Sequence, residues 1–78
     1  MQTFFVEIKC ALGRTYEVAS ALAEAEIASE IYSVAGDHDI LAKFYVADGI
    51  DIGHFVGARV QAVPGIANTR TVITFKAF

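Results

Sequence analysis

Apolar and polar residues alternate along 3–10, with Phe4, Val6, Ile8 and Cys10 on one face and Phe5, Glu7 and Lys9 on the other. A period of two sends successive side chains to opposite faces of a strand, so this segment predicts strand one. Gly13 breaks the pattern. Over 14–26 the period lengthens: Val18, Ala21, Leu22 and Ala25 make a narrow apolar stripe, while Glu17, Ser20 and Glu24 face water. That predicts helix one. Residues 29–35 return to strand character, and Gly36-Asp37-His38-Asp39 supplies turn-forming residues. Residues 40–47 alternate again, with Ile40, Ala42, Phe44 and Val46 opposite Leu41, Lys43 and Tyr45. Two strands joined by so short a turn predict an antiparallel hairpin. Asp48-Gly49 is a second break, and Asp51 is a good N-cap for a helix over 52–62 with Ile52, Phe55, Val56, Val60 and Val63 as its buried stripe. Pro64-Gly65 ends it. The β-branched run over 67–77 predicts the last strand.

The order is β-α-β-β-α-β. Right-handed crossovers place both helices on one face of a four-stranded antiparallel sheet, an α+β sandwich in one domain spanning 1–78. The other sheet face is left bare, showing Phe5, Glu7, Lys9, Leu41, Lys43, Tyr45 and Val72 between Arg70 and Thr74. A second copy packed sheet against sheet would cover it and form a homodimer.

Composition sharpens this expectation. The 78 residues are 55% hydrophobic, above the ~45–50% usual for soluble domains. A chain of this size hides only roughly 60% of its unfolded surface, so part of the apolar surplus lies outside and marks an association face. The net charge is −3, and the six Lys and Arg are scattered singly. Nucleic-acid binding draws its affinity from basic patches on phosphate, so direct binding of DNA or RNA is not expected. A lone Cys10 allows neither an internal disulfide nor a cysteine zinc site, and a reducing cytoplasm is the simplest compartment. The start MQTFFVEIK lacks the basic opening and apolar run of a signal peptide. No apolar stretch reaches the about 18 residues of a membrane span.

The candidate chemistry is sparse. No Gly-x-Ser-x-Gly, phosphate loop or Cys with a nearby base is present. Asp37-His38-Asp39 could present metal ligands, but adjacent turn residues rarely converge on one ion; as an ordinary turn residue, His38 is exposed. His54 falls on the solvent side of helix two, off the Phe55 stripe. Gly53 and Gly57, four apart, suit a close approach to a strand or another subunit. The Gly36–Asp39 turn is the polar cluster that stands out. Its backbone N–H groups can take a carboxylate and its aspartates an ammonium, which suits the two ends of an amino acid. The same residues also make a plain hairpin.

These segments resemble a known family. Gly13 with Glu17-Val18, then Ile31-Tyr32-Ser33-Val34-Ala35-Gly36-Asp37-His38-Asp39-Ile40-Leu41, then Val63-Pro64-Gly65-Ile66 and Thr69-Arg70-Thr71 are similar, in order and spacing, to the effector (RAM) domain of Lrp/AsnC, or feast/famine, transcriptional regulators. The resemblance covers nearly the whole chain. It implies a ferredoxin-like sandwich, dimers built through the sheets, octamer-like rings, and an amino-acid effector held between dimers near the turn. By that match Gly36, Asp37, His38 and Asp39 are ligand candidates, with Thr69 and Thr71 on the last strand. The chain departs from the family pattern in three places. It starts at strand one with no helix-turn-helix, His38 replaces a common aromatic residue, and Glu26-Ile27-Ala28 replaces a proline-containing link.

The function expected is a stand-alone amino-acid sensor that self-associates and tunes a full-length regulator by mixed assembly. It needs no cofactor and catalyses nothing. A pure oligomerisation module is the second reading. A small dimeric monooxygenase or isomerase of the same architecture is the third, and it would need His54 to face the space between sheet and helices.

Overall fold

The computed structural model describes residues 1–78. Strand β1 (Gln2–Cys10) leads to helix α1 (Thr15–Glu24), the short strand β2 (Glu30–Ser33) and strand β3 (Ile40–Val46). Helix α2 begins at Ile52–Phe55 and continues as a π-helical stretch over Val56–Val60, and β4 (Ile66–Ile73) closes the chain. The sheet order is β2-β3-β1-β4, with every neighbouring pair antiparallel. This is the ferredoxin-like arrangement. No helix is long and apolar enough to cross a membrane.

Alternation places the core. Phe4, Val6, Ile8 and Cys10 from β1 meet Ile40, Ala42, Phe44 and Val46 from β3 on the helix-facing side. Val18 and Leu22 of α1, and Ile52, Val56 and Val60 of the second helix, close over them. No polar or charged residue is buried. Phe4 stacks on Phe44 at 5.2 Å between centroids, and Phe55 meets both edge-on at 5.9 and 5.8 Å. The opposite face carries no helix.

Four expectations shift within or at the ends of elements. Helix one stops at Glu24 rather than 26, because Glu26 takes a left-handed φ of 55°, and Ala25 is exposed. Glutamate is a good helix former, so nothing local announced that end. Strand two keeps only four residues of 29–35: the Val34 N–H still donates to Asp39 O at 3.0 Å, in register with the β2–β3 ladder, but the chain then enters the turn at Gly36, whose φ is 108°. Strand four ends at Ile73 rather than 77. The Thr74 hydroxyl still donates to Thr3 O at 2.7 Å, but beyond that β1 offers almost no backbone to pair with. Helix two is capped as expected, Asp51 accepting from the His54 N–H at 3.0 Å, yet it widens into a π turn through Gln61 N–H to Val56 O at 2.8 Å.

Gly65 is the glycine the fold requires. Its φ is +96°, its carbonyl accepts from Ala11 N–H at 2.7 Å, and a Cβ there would lie 3.0 Å from Val18 Cγ2 and 3.3 Å from Arg14 Cβ. Gly65→Ala therefore combines a disfavoured backbone with a clash against α1. It is expected to cost about 1–3 kcal/mol, read as a lower urea midpoint at unchanged slope. Gly53 and Gly57 are exposed and meet no strand or other element, so the close approach expected for them does not arise within the chain.

Candidate functional site

The hairpin turn is anchored on β1 rather than standing free. Just past the last β1–β3 pair, Ile8 with Ile40, the Asp39 N–H donates to Ile8 O at 2.8 Å. The Asp39 carboxylate accepts the Cys10 N–H at 2.8 Å and lies 3.8 Å from the Lys9 ammonium. Cys10 sits at an irregularity where β1 and β4 slip register: Lys9 faces Asn68 but Cys10 faces Ile66. A bulge leaves backbone groups without ladder partners, and Asp39 supplies an acceptor beside it. Burial pushes the Cys10 thiol up from its ordinary pKa, more strongly than a Thr15 hydrogen bond lowers it, so Cys10 serves as core rather than as a nucleophile.

A recess of about 240 Å³ opens beside this anchor, lined by Lys9, Cys10, Ala11, Leu12, Gly13, Thr15 and Asp39. It joins one carboxylate and one ammonium at the start of α1. A second, larger recess of about 650 Å³ lies at the other end of the sheet, walled by Phe5, Lys43, Tyr45, Ile73 and Phe75 among others. It contains none of the ligand candidates.

The six candidates do not converge within one chain. Gly36, with φ of 108°, and Asp37 are exposed at the turn's tip. His38 corrects the expectation of an exposed turn residue. Its imidazole is only 18% exposed and folds over the open sheet face to lie 3.5 Å from Glu7, which also lies 3.6 Å from Arg70. Thr69 and Thr71 are the partners of Ile8 and Val6, whose side chains belong to the core, so they project on the helix side instead. Thr69 accepts from the Gln61 side-chain amide at 2.7 Å, and Thr71 is exposed. His54 is exposed on its helix, away from the space between sheet and helices.

Lys9, Thr15 and Glu7 are the site neighbours that sequence reasoning passed over. Lys9 and Glu7 read simply as polar positions of a strand. Only the pairing of β1 with β3 brings them beside Asp39 and His38.

The open sheet face carries a second polar group. Lys43 lies 3.5 Å from Glu30 and over the rings of Phe5 and Tyr45. The Tyr32 hydroxyl donates to Glu30 and, with Lys43, holds that carboxyl below its usual range.

Known proteins share this fold. The family model of the Lrp/AsnC ligand binding domain matches residues 3–78. The HTH-type transcriptional regulator FL11 of Pyrococcus abyssi is 32% identical over 72 residues, which are 92% of this chain and 47% of that protein. The chain thus spans about half the length of the curated relatives it matches. The crystal structure of TTHA0845 from Thermus thermophilus superposes with a TM-score of 0.89 at 29% identity, covering 100% of this chain and 98% of the other. FFRP-DM1 superposes with a TM-score of 0.87 at 28% identity over 96% and 100% of the two chains. The fold also recurs, at 16% identity and a TM-score of 0.82, over 96% of this chain and 50% of the transcriptional regulator NMB0573 of Neisseria meningitidis, solved as a complex with L-Met.

Proposed function

The chain belongs to the Lrp/AsnC ligand-binding-domain family, a regulatory rather than catalytic class, and from that premise we propose that it is an amino-acid-sensing domain that self-associates through its open sheet face. The observation that carries this reading is the Lys9–Asp39 pair at the mouth of the 240 Å³ recess. A zwitterion needs a cation for its carboxylate and an anion for its ammonium, fixed side by side. Lys9 supplies the first. Asp39, with one oxygen holding the Cys10 N–H, retains lone pairs for the second. Gly36, Asp37 and His38 belong to the same turn as Asp39 but do not line this recess within one chain. Thr69 and Thr71, which project elsewhere in this chain, complete the pocket from a neighbouring copy in a ring of dimers. The L-Met complex of the Neisseria regulator supports an amino acid as the ligand class. The output passes to a full-length regulator in the cytoplasm through mixed assembly.

A second reading has its own observation. The Asp39 carboxylate already has two partners in Cys10 and Lys9, which suits a domain that only oligomerises. A thermal-shift scan against the twenty amino acids at millimolar concentration separates the two. A ligand at about 100 times its dissociation constant adds roughly 2.7 kcal/mol, and each kcal/mol raises the Tm of a domain this size by about 4–8 °C. The sensor reading expects such a rise for one or a few amino acids and its loss in Lys9→Ala. No shift across the panel, with the protein folded and associated, leaves the oligomerisation module.

A further inference from the structure

The open sheet face is a charged surface as well as an apolar one. Its paired groups alternate in sign: Lys9 with Asp39, Arg70 with Glu7, and Lys43 with Glu30. Three cations thus balance three carboxylates between the apolar Phe5, Leu41, Tyr45 and Val72. A face with no net charge and mixed signs can meet a copy of itself without like-charge repulsion. His38 is the exception to this balance. Its imidazole lies over the same face, 3.5 Å from Glu7, and carries no charge when neutral.

We propose that His38 makes sheet-to-sheet association of this chain pH-sensitive, with the dimer favoured when His38 is neutral and weakened when it is protonated. The inference rests on the sheet-face association proposed above. The groups around His38 set the sign. Glu7 of β1 attracts an imidazolium, but its other oxygen is already engaged by Arg70 of β4. Lys9 of β1 is matched by Asp39 of the hairpin turn. Asp37, beside His38 in that turn, is exposed to water. A proton on His38 therefore leaves a surplus positive charge on a surface that must lose water to associate, and desolvation penalises the charged form. Two-fold symmetry doubles the effect, because each copy brings its own His38. The dimer then binds fewer protons than two separated chains, so association weakens as the pH falls.

Sedimentation velocity with fluorescence detection, from nanomolar to micromolar protein, measures the dimer dissociation constant at each pH. Between pH 7.5 and 5.5, above the range where free carboxylates titrate, the wild-type constant is expected to rise roughly tenfold or more. His38→Gln keeps a hydrogen-bonding side chain without the titration, and its constant should stay flat. His54→Gln, altered on the helix side, should keep the wild-type dependence. Circular dichroism at both pH values confirms that each variant is folded. A wild-type constant that does not change with pH, or a His38→Gln chain that keeps the full dependence, overturns the proposal. A chain that stays monomeric at every pH, or a Val72→Glu variant that associates as the wild type does, overturns instead the sheet-face reading on which it rests.

Discussion

Phe44→Ala is expected to cost about 3–5 kcal/mol, the range for emptying a buried aromatic site, and to leave the domain at or below marginal stability. Phe44 is fully buried in a mutually contacting three-ring cluster, stacked on Phe4 and met edge-on by Phe55. Removing its ring takes a packing partner from both, and from both layers of the sandwich at once. The backbone around it cannot collapse into the gap, because β3 is held between β1 and β2 by hydrogen bonds on both sides. A domain of this size has only about 5–15 kcal/mol of stability to lose. Urea unfolding followed by circular dichroism reads the effect. A midpoint within experimental error of the wild type would show that Phe4 and Phe55 do not depend on Phe44 for their packing. Phe44→Leu, which fills part of the same space, should lose much less.

Asp39→Ala is the second large effect, and it separates architecture from ligand binding. The Asp39 carboxylate accepts the N–H of the buried Cys10 at 2.8 Å. Without it that donor faces the β1 irregularity with no acceptor, at a cost of about 1–3 kcal/mol. Loss of an amino-acid response in this variant would therefore mix a weakened fold with a missing ligand contact. Asp39→Asn resolves the two. Its amide oxygen can still accept from Cys10, while the negative charge that would hold an ammonium group is gone. Stability near wild type with no thermal response assigns Asp39 to the effector. A full response in Asp39→Asn restricts Asp39 to holding the turn on β1, and Lys9 would then carry the recognition with other partners. Equal destabilisation in Ala and Asn would mean that the charge, through Lys9, matters more than the hydrogen bond.

The residues that sequence reasoning placed best are those whose environment is set by their own neighbours. Strands one and three were legible to within a residue at either end, since Phe4 to Cys10 and Ile40 to Val46 alternate strictly. Asp51 and the Ile52, Val56, Val60 spacing announced the second helix and its buried stripe. The candidate site was legible only in part. Gly36 to Asp39 could be picked out as a polar turn, and the likeness to the Lrp/AsnC domain followed from its order along the chain. What the turn touches could not.

The period of the apolar residues and the turn chemistry determined the element order, the sandwich and the face left open, because those depend on interactions between residues a few positions apart. Which residues meet across strands was decided only in the folded sheet. His38 reaches Glu7, and Asp39 reaches Lys9 and Cys10, across about thirty positions of chain. Those encounters depend on strand register, where a one-residue slip would turn every side chain to the other face. The left-handed Glu26 and the end of β4 at Ile73 are of the same kind. The first is imposed by the path from α1 into an edge strand, and the second by where the neighbouring strand runs out.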